Sequence, residues 1–520
     1  MKKSVWMVLL LIGTALFFPL DFLRSEPGVQ EQTVEKPQWE LEFQRIKELY
    51  QLTDLYNDEI WPGFDTRKIP IAVNYKGRQQ ILINHPNPPG EFREFKDLDP
   101  DGQKVMIRDG STTLAVGGAG RLGKIKTSVL SVPEKETSTE KYLLMGLHEC
   151  FHVFQQQIRE EERIPFKLLP IYDIPYAALI ALENRILYTA LQEKDAKTRK
   201  HLVKMFVAVR SRRQQDLPDE LRKQEDRENF GEGTAYYAEV RLVQLLQRTA
   251  GRRSPLVKID PGYHGFSEAG KLYREYLESI LPPDDKPVTL GHERYQNGMA
   301  QALLLDSLHP GWKKEMSAKG MTQFTLLKRQ FPMEEKEIAA LVSAAREKFN
   351  FEKILEHQGL VIRETLSSAY RFLDAPGRRY RIYQPEIPTT FKWKPRLPVF
   401  ELPLKYLTKA QLELLPQGIK INEDYMDVLI LVKGVERVEY GGLVFESGEV
   451  PILWWDSLSY FEWIDPFPAA DQGDMKITSD KQENDIYTNL ILTTSGFTLR
   501  VDRARVIWSD QIVEIHPLQP

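Results

Sequence analysis

The sequence predicts an α+β fold that ends in a β-rich domain. Strand-like segments come first, a long run of helical patterns follows, and short strands separated by turns occupy the last part of the chain. These segments are 69–75, 79–84 and 112–116 for the first strands, 137–358 for the helices and 426–515 for the last strands. We therefore expect an N-terminal β-sheet and a helical bundle within 35–375, and a β-rich C-terminal domain over 385–520.

Turn-forming residues predict two connecting segments. Prolines at 385, 388, 395, 398 and 403 predict an extended connector between the two domains. The glycine-rich run at 115–120 lacks the G-K-S/T of a phosphate-binding loop, so it predicts a turn between strands.

The composition excludes two classes of protein. The 520 residues include 70 Lys and Arg against 74 Asp and Glu, which gives a net charge of −4. Proteins that bind a nucleic-acid backbone carry a basic excess, so no nucleic-acid partner is expected. The single cysteine, Cys150, cannot form an intramolecular disulfide, which excludes a disulfide-stabilised scaffold.

The N terminus has the pattern of an export signal. Lys2 and Lys3 precede an apolar run over 5–20, as in a signal peptide. The run is shorter than the roughly 20 residues of a transmembrane helix, and no small-x-small cleavage site follows it. We expect residues 1–25 to be a signal peptide or an N-terminal anchor. The rest of the chain is then extracytoplasmic, either periplasmic or secreted, with residues 5–20 as a membrane tether if they are retained.

The strongest chemical signal lies in the first long helix. Thr137 and Glu140 have the spacing of a capping box, and apolar residues follow at helical intervals. These apolar residues are Leu147, Phe151, Phe154 and Ile158. His148 and His152 lie one turn apart with Glu149 between them, which is the HExxH pattern of zinc metallopeptidases. Two imidazoles on successive turns converge on one zinc ion, and the glutamate is placed to take a proton from zinc-activated water.

A second group of motifs carries a family resemblance. The motifs are HECFHVFQ at 148–155, LENR at 182–185, EGTAYY at 232–237 and YQNG at 295–298. Their order resembles that in exported bacterial HExxH proteins, and EGTAYY resembles the stretch that carries the third zinc ligand in gluzincin-type (peptidase MA-like) metallopeptidases. The resemblance implies a zincin-like catalytic core, Glu232 as third ligand, and a substrate-pairing strand edge near 124–130. The chain lacks the G-x-M-E-N motif of exopeptidases, and endo- versus exopeptidase action stays open.

Two other carboxylates compete with Glu232 for the role of third ligand. Glu183 lies on an amphipathic helix, and Glu228 lies one turn before Glu232. Gly231 and Gly233 favour Glu232, because glycines in a helix cost about 1 kcal/mol each relative to alanine and would allow close approach to the HExxH helix. A carboxylate that is not a ligand can still accept the second N–H of a ligating histidine, and we expect this of Glu183 or Glu228.

Peptide hydrolysis also needs a group that stabilises the oxyanion. Tyr295 is the preferred candidate, since it follows the third-ligand helix and begins another helical segment. His292 and Tyr236 are the alternatives. Cys150 points away from both histidines on the helical wheel and is expected in the core.

These patterns predict a zinc-dependent metallopeptidase that acts on a peptide or protein substrate. His148, His152 and Glu232 hold Zn²⁺, and Glu149 is the general base. The alternative is a non-catalytic exported protein that keeps the zinc site as a structural clasp and serves binding or envelope assembly through its β-rich domain.

Overall fold

A computed structural model describes most of the helical part of the chain and many strands of its C-terminal part. The described residues are 38–75, 79–94, 104–109, 117–132, 138–159, 170, 172–249, 254–282, 288, 292–316, 321–373, 379–383, 392–395, 399–403, 428–433, 435–440, 443–447, 451–455, 460–464, 476–493, 497–508 and 512–518. The expected signal or anchor over 1–25 and the predicted strand at 112–116 lie outside these residues. Within the described parts, no helix combines the length and apolarity needed to span a membrane.

The described residues form two compact units of mixed helix and sheet, compatible with the predicted α+β class. The first unit ends at Val361 and the second begins at Ile362. Both residues lie inside the last helix, so the division comes before the boundary between 375 and 385 that the sequence predicts.

The first unit contains a mixed six-stranded sheet. Its strands are β1 (Ile71–Tyr75), β2 (Gln79–Ile83), β3 (Arg93–Glu94), β4 (Val105–Asp109), β5 (Gly117–Leu122) and β6 (Ile125–Ser131). Their order is β3-β4-β2-β1-β6-β5, in which β1 and β6 run parallel and the other neighbours antiparallel. The predicted strands at 69–75 and 79–84 correspond to β1 and β2.

The sheet corrects two expectations. Residues 124–130 were expected at an edge, but β6 pairs with β1 on one side and β5 on the other, so β5 is the edge strand at this end of the described sheet. Glycines 117, 118 and 120 were expected in a turn, yet they belong to this strand. Gly118 has φ +150°, a backbone conformation that glycine adopts freely. Composition alone suggested a turn because glycine is depleted in strands, and only strand pairing shows its place in one.

The described helices begin in the first unit, and the last of them continues past Val361 into the second unit. They are α1 (Gln38–Asp54), α2 (Asn57–Ile60), α3 (Thr139–Ile158), α4 (Ile174–Gln192), α5 (Ala196–Gln215), α6 (Asp219–Leu246), α7 (Ala269–Glu278), α8 (Gly298–Leu308), α9 (Trp312–Glu315), α10 (Gln323–Gln330), α11 (Glu335–Lys348) and α12 (Phe351–Leu373). Short 3₁₀ segments lie at Thr66–Lys68, Gln247–Thr249 and Pro255–Lys258, and a π-helical segment, His292–Asn297, leads directly into α8.

Helix α3, which carries the HExxH motif, packs closely against the sheet. At Gly146, an added Cβ would lie 3.1 Å from Leu49 of α1 and 3.4 Å from Leu130 of β6. The predicted apolar stripe is buried at Leu147, Phe151 and Phe154, while Ile158 is half-buried. Burial of this stripe determines which face of α3 is directed away from the sheet.

The start of α3 differs from the predicted capping box. Ser138 is the N-cap, and its hydroxyl accepts a hydrogen bond from the backbone N–H of Lys141 at 3.3 Å. Thr137 lies outside the described residues. The Glu140 carboxylate accepts a hydrogen bond from the backbone N–H of His264, at 2.5 Å. The N-cap therefore lies one position after the predicted one, and Glu140 makes a tertiary contact.

Helix α6 approaches the start of α8 unusually closely. A Cβ added to Gly298 would lie 2.7 Å from the carbonyl oxygen of Asn229 and 2.8 Å from Cα of Gly233. Position 298 therefore has no room for a side chain, and Gly233, which was expected to allow approach to the HExxH helix, lies at this contact with α8. This contact fixes the part of α6 that carries Glu232.

The second unit contains a 13-stranded sheet. Its strands are β7 (Arg379–Tyr383), β8 (Lys392–Pro395), β9 (Val399–Pro403), β10 (Val428–Lys433), β11 (Val435–Tyr440), β12 (Leu443–Ser447), β13 (Pro451–Trp455), β14 (Tyr460–Ile464), β15 (Lys476–Thr478), β16 (Lys481–Glu483), β17 (Ile486–Thr493), β18 (Phe497–Trp508) and β19 (Ile512–Pro517). The main order is β8-β11-β12-β18-β19-β7-β14-β13-β10-β9, and β17 joins β15 and β16 to β18.

Two details of this sheet differ from the expectations. The proline-rich segment contains β8 and β9, which occupy the two ends of the main strand order. Pro395 and Pro403 are the last residues of these strands. Proline has no backbone N–H to donate within a central strand, so an end strand is where it is tolerated. The sequence pattern predicts separate strands at 497–501 (FTLRV) and 504–508 (ARVIW), but both segments belong to the single strand β18.

Candidate metal centre

Three side chains from two helices converge on one point. His148 and His152 come from α3, and Glu232 comes from α6. Oε2 of Glu232 lies 3.4 Å from Nε2 of His148 and 3.2 Å from Nε2 of His152. One nitrogen or oxygen of each residue lies within 4.8 Å of the other two, so this group can hold a metal ion. The structure therefore brings together the three residues that the sequence proposed as ligands.

The other ring nitrogen of each histidine has its own hydrogen-bond partner. Nδ1 of His148 lies 2.7 Å from Oε1 of Glu239, and Nδ1 of His152 lies 2.8 Å from Oε1 of Gln155. Both partners are acceptors, so each Nδ1 carries a proton and each Nε2 is the nitrogen that faces Glu232. The two rings lie 4.6 Å apart, centroid to centroid.

Glu239 is itself held in place. The hydroxyl of Tyr276, on α7, donates to Oε2 of Glu239 at 2.7 Å. Glu239 and Tyr276 are both buried. The two carboxylate oxygens of Glu239 thus have separate partners, which orients the carboxylate toward the ring of His148.

The ionisable groups of the cluster stabilise one another's charged forms. Burial lowers the pKa of His148, but contacts with Glu232 and Glu239 outweigh it and raise the pKa well above its usual value. Burial also lowers the pKa of His152, and Glu232 raises it overall. Burial raises the pKa of Glu232, yet His152 and His148 hold it well below its usual value. In each of these groups, the opposite charge of its neighbours outweighs the cost of burial.

Glu149 lies next to the cluster and is buried. Its Oε2 has no hydrogen-bond partner among the described residues, and the same holds for Oε2 of Glu232. Burial raises the pKa of Glu149, against the opposing effect of His152 and His148. A buried carboxylate oxygen that lacks a partner is uncommon in folded proteins and indicates a ligand, water or ion at that point.

The two rival carboxylates are engaged elsewhere. Glu183 is fully buried and accepts two hydrogen bonds from Arg213, at 2.6 and 3.1 Å. Glu228 pairs with Arg227 at 3.0 Å. The expectation that one of them accepts the second N–H of a ligating histidine is wrong, because Glu239 and Gln155 occupy those positions.

Aromatic rings line one side of the cluster. The ring of Tyr295 lies 6.0 Å from that of His148, with 27° between their planes. Tyr236 is buried and makes edge contacts with Tyr276 and Tyr295, at 5.1 and 5.9 Å. His292 begins the π-helical segment, but its side chain lies outside the described part of the structure. Of the three oxyanion candidates, Tyr295 is thus placed beside a histidine of the cluster.

Cys150 is buried and has no place in the cluster. It is fully inaccessible, and burial raises the pKa of its thiol to about 12. A thiol with this pKa is inert as a nucleophile at neutral pH, in agreement with the expected core position.

Sequence reasoning gave no role to Glu239 or Gln155. Helical spacing contains the signal for both residues. Glu239 lies two turns after Glu232 on the same face of α6, and Gln155 lies three positions after His152 on α3. The spacing does not predict the distance between α3 and α6, and it is this distance that places Glu239 beside His148.

We compared the chain with protein-family models, curated proteins and solved structures, and none matched.

Proposed function

We propose that the chain is a zinc-dependent metallopeptidase, with His148, His152 and Glu232 as metal ligands and Glu149 as general base. One observation carries the proposal: the three ligand atoms meet beside a buried Glu149 carboxylate that has an oxygen without a partner. This is the constellation that metal-assisted hydrolysis needs.

The spacing of the ligand atoms supports zinc as the metal. Tetrahedral zinc holds nitrogen and oxygen ligands at about 2.0–2.2 Å, which places the ligand atoms about 3.3–3.6 Å from one another. The oxygen of Glu232 lies 3.2 and 3.4 Å from the two histidine nitrogens. Two histidines and one carboxylate are also the ligand set of many catalytic zinc sites, which keep their fourth position for water or substrate.

Zinc bound here would polarise a substrate carbonyl and lower the pKa of a coordinated water to about 7. The side chains of the chain do the rest. Glu149 takes a proton from the attacking water at its buried carboxylate and returns it to the amine as the C–N bond breaks. Glu239 and Gln155 keep the histidine rings in the ligating tautomer. Tyr295, beside His148, donates a hydrogen bond from its hydroxyl to the oxyanion that forms.

The finer fold and location belong to the same proposal. A mixed sheet beside the HExxH helix, with a helical bundle supplying the third ligand, supports a zincin-like core. The lysines and the apolar run at the N terminus support export, with a peptide or protein as substrate.

Glu149→Gln tests the proposal. The variant keeps the shape of the side chain but lacks the base, so it should bind zinc like the wild type and lose about 10²–10⁴-fold in kcat on a fluorescently quenched denatured protein. Glu228→Gln, on α6, is the matched control and should keep full activity. Chelation of the metal should abolish turnover in the wild type, and added zinc should restore it.

The outcomes separate the two candidate functions. Full activity in Glu149→Gln would overturn the mechanism. Stoichiometric zinc in a wild-type protein that hydrolyses no protein or peptide pool would overturn the peptidase and support the structural clasp.

A further inference from the structure

Gln155 lies between the two helices of the metal centre. It follows His152 by three positions on α3, is 2% exposed, and accepts a hydrogen bond from Nδ1 of His152 at 2.8 Å. Its side chain therefore has one oxygen directed at a proposed ligand and an amide nitrogen left for other partners.

The amide nitrogen of Gln155 contacts three oxygens of α6. They are the carbonyl oxygens of Phe230 and Gly231, at 3.1 and 2.7 Å, and the hydroxyl of Thr234, at 2.6 Å. The Thr234 hydroxyl donates its own hydrogen to the carbonyl of Phe230 at 2.6 Å, so it receives one from Gln155. All three acceptors lie within two residues of Glu232.

We propose that Gln155 is a positioning residue that joins the two helices of the metal centre. Its oxygen fixes the tautomer of His152, and its nitrogen sets the distance from α3 to the part of α6 that carries Glu232. This inference rests on the proposed function, since it assigns a role within the same metal site.

The chemistry of the site selects glutamine at this position. A primary amide offers an acceptor and two donor hydrogens at the same end of a side chain. Glutamate would place a carboxylate against the carbonyl oxygens of Phe230 and Gly231, and leucine would leave those contacts unmade. Because Gln155 holds a proton on Nδ1, Nε2 is the nitrogen of His152 that is left to bind a metal ion, and it lies 3.2 Å from Oε2 of Glu232.

Gln155→Leu tests the proposal, with Gln157→Leu as matched control. Gln157 lies on the same helix and is exposed, so it undergoes the same chemical change outside the site. We expect Gln155→Leu to weaken zinc binding by about 10–100-fold and Gln157→Leu to leave it unchanged. The visible absorption of the cobalt-substituted protein should shift only in Gln155→Leu, because it reports ligand geometry rather than stability.

Thr234→Val supplies a second, milder variant that keeps the shape of the side chain. It removes one acceptor of Gln155 and should weaken zinc binding by less than Gln155→Leu does. In the double variant the two losses should be less than additive, because they remove the same link. The same cycle, measured by urea unfolding of the metal-free protein, tests the link between the helices without metal or turnover.

Two results would overturn the proposal. One is a zinc dissociation constant and cobalt spectrum for Gln155→Leu that match those of Gln157→Leu. The other is strict additivity of Gln155→Leu and Thr234→Val in the metal-free cycle. Neither depends on hydrolysis, so a zinc protein without peptidase activity would end the proposed function and leave this inference standing.

Discussion

Nδ1 of His148 lies 2.7 Å from Oε1 of Glu239. Glu239 follows Glu232 by seven positions on α6. One helix therefore supplies both the proposed third ligand and the group that orients the first histidine. Glu232 contacts Nε2 of His148 and Glu239 contacts Nδ1, so any displacement of α6 changes both contacts at once.

Glu239→Ala should weaken zinc binding by about 10–100-fold, because the ring of His148 loses the acceptor that fixes its tautomer. Tyr276→Phe, which removes the hydrogen bond to the other oxygen of Glu239, should have a smaller effect in the same direction. Competition with a chromophoric chelator measures both affinities. Unchanged affinity in Glu239→Ala would show that the orientation of His148 does not depend on this carboxylate.

Glu232→Ala and Glu183→Ala should fail in different ways. Removal of a ligand should weaken zinc binding by more than the roughly 100-fold of an orienting contact, and activity should fall with it. Glu183→Ala leaves Arg213 buried without one of its carboxylates, so it should cost about 3–5 kcal/mol of stability and keep zinc affinity. Urea unfolding and metal titration separate the two effects. Weak zinc binding in Glu183→Ala alone would reverse the ligand assignment.

The local part of the site could be predicted from sequence, because a helix fixes the positions of its own residues. His148 and His152 lie one turn apart on any α-helix, and the apolar stripe that includes Leu147 and Phe151 sets which side of the helix is buried. Helical periodicity alone does not identify Glu232 as a ligand; the resemblance of its EGTAYY motif to a third-ligand stretch did. The rest of the site depends on the distance between α3 and α6, which no single helical pattern contains.

The sheet shows the same limit for strands. Alternation and β-branched residues identified β1 and β2, yet the edge position of β5 depends on the pairing of β6 with β1, more than 50 residues earlier in the chain. Strand order is a long-range property, and the glycines of β5 hide its strand character.

Tyr295→Phe should lower kcat by about 10²–10³-fold and leave zinc affinity unchanged, because it removes only the hydroxyl that would donate to the oxyanion. Tyr236→Phe is the matched comparison, since its ring contacts that of Tyr295. Steady-state kinetics and metal titration of both variants give the test. If Tyr236→Phe loses kcat and Tyr295→Phe does not, the role belongs to Tyr236.

Gly298→Ala should destabilise the protein and the metal site together. The new methyl group would lie 2.7 Å from the carbonyl oxygen of Asn229 and 2.8 Å from Cα of Gly233, so α8 and α6 must separate. Overpacking of this kind costs about 1–3 kcal/mol. Gly311→Ala, whose added Cβ meets no atom within 4 Å, is the control. Equal urea-unfolding midpoints for the two variants would show that the helices do not constrain each other here.

Glu225 should make stability depend on pH through its buried ion pairs. Burial raises the pKa of Glu225, but the charges of Arg213 and Arg210 outweigh it and lower the pKa from 4.5 to about 2. Because the folded state holds the carboxylate in its charged form, this stabilisation is complete above pH 4.5 and is lost as the pH falls toward 2. Glu225→Gln should therefore cost about 3–5 kcal/mol at pH 7, where breaking a buried pair has its full effect.

The difference between Glu225→Gln and the wild type should shrink as the pH is lowered, since Glu225 binds a proton in the unfolded wild type near pH 4.5 and in the folded state only near pH 2. Urea unfolding at pH 7, 4.5 and 3.5 measures it, with Glu220→Gln as the exposed control on the same helix. The control should follow the wild type at each pH. A difference that stays constant from pH 7 to pH 3.5 would mean that Glu225 stabilises the helices through shape and hydrogen bonds rather than through its charge.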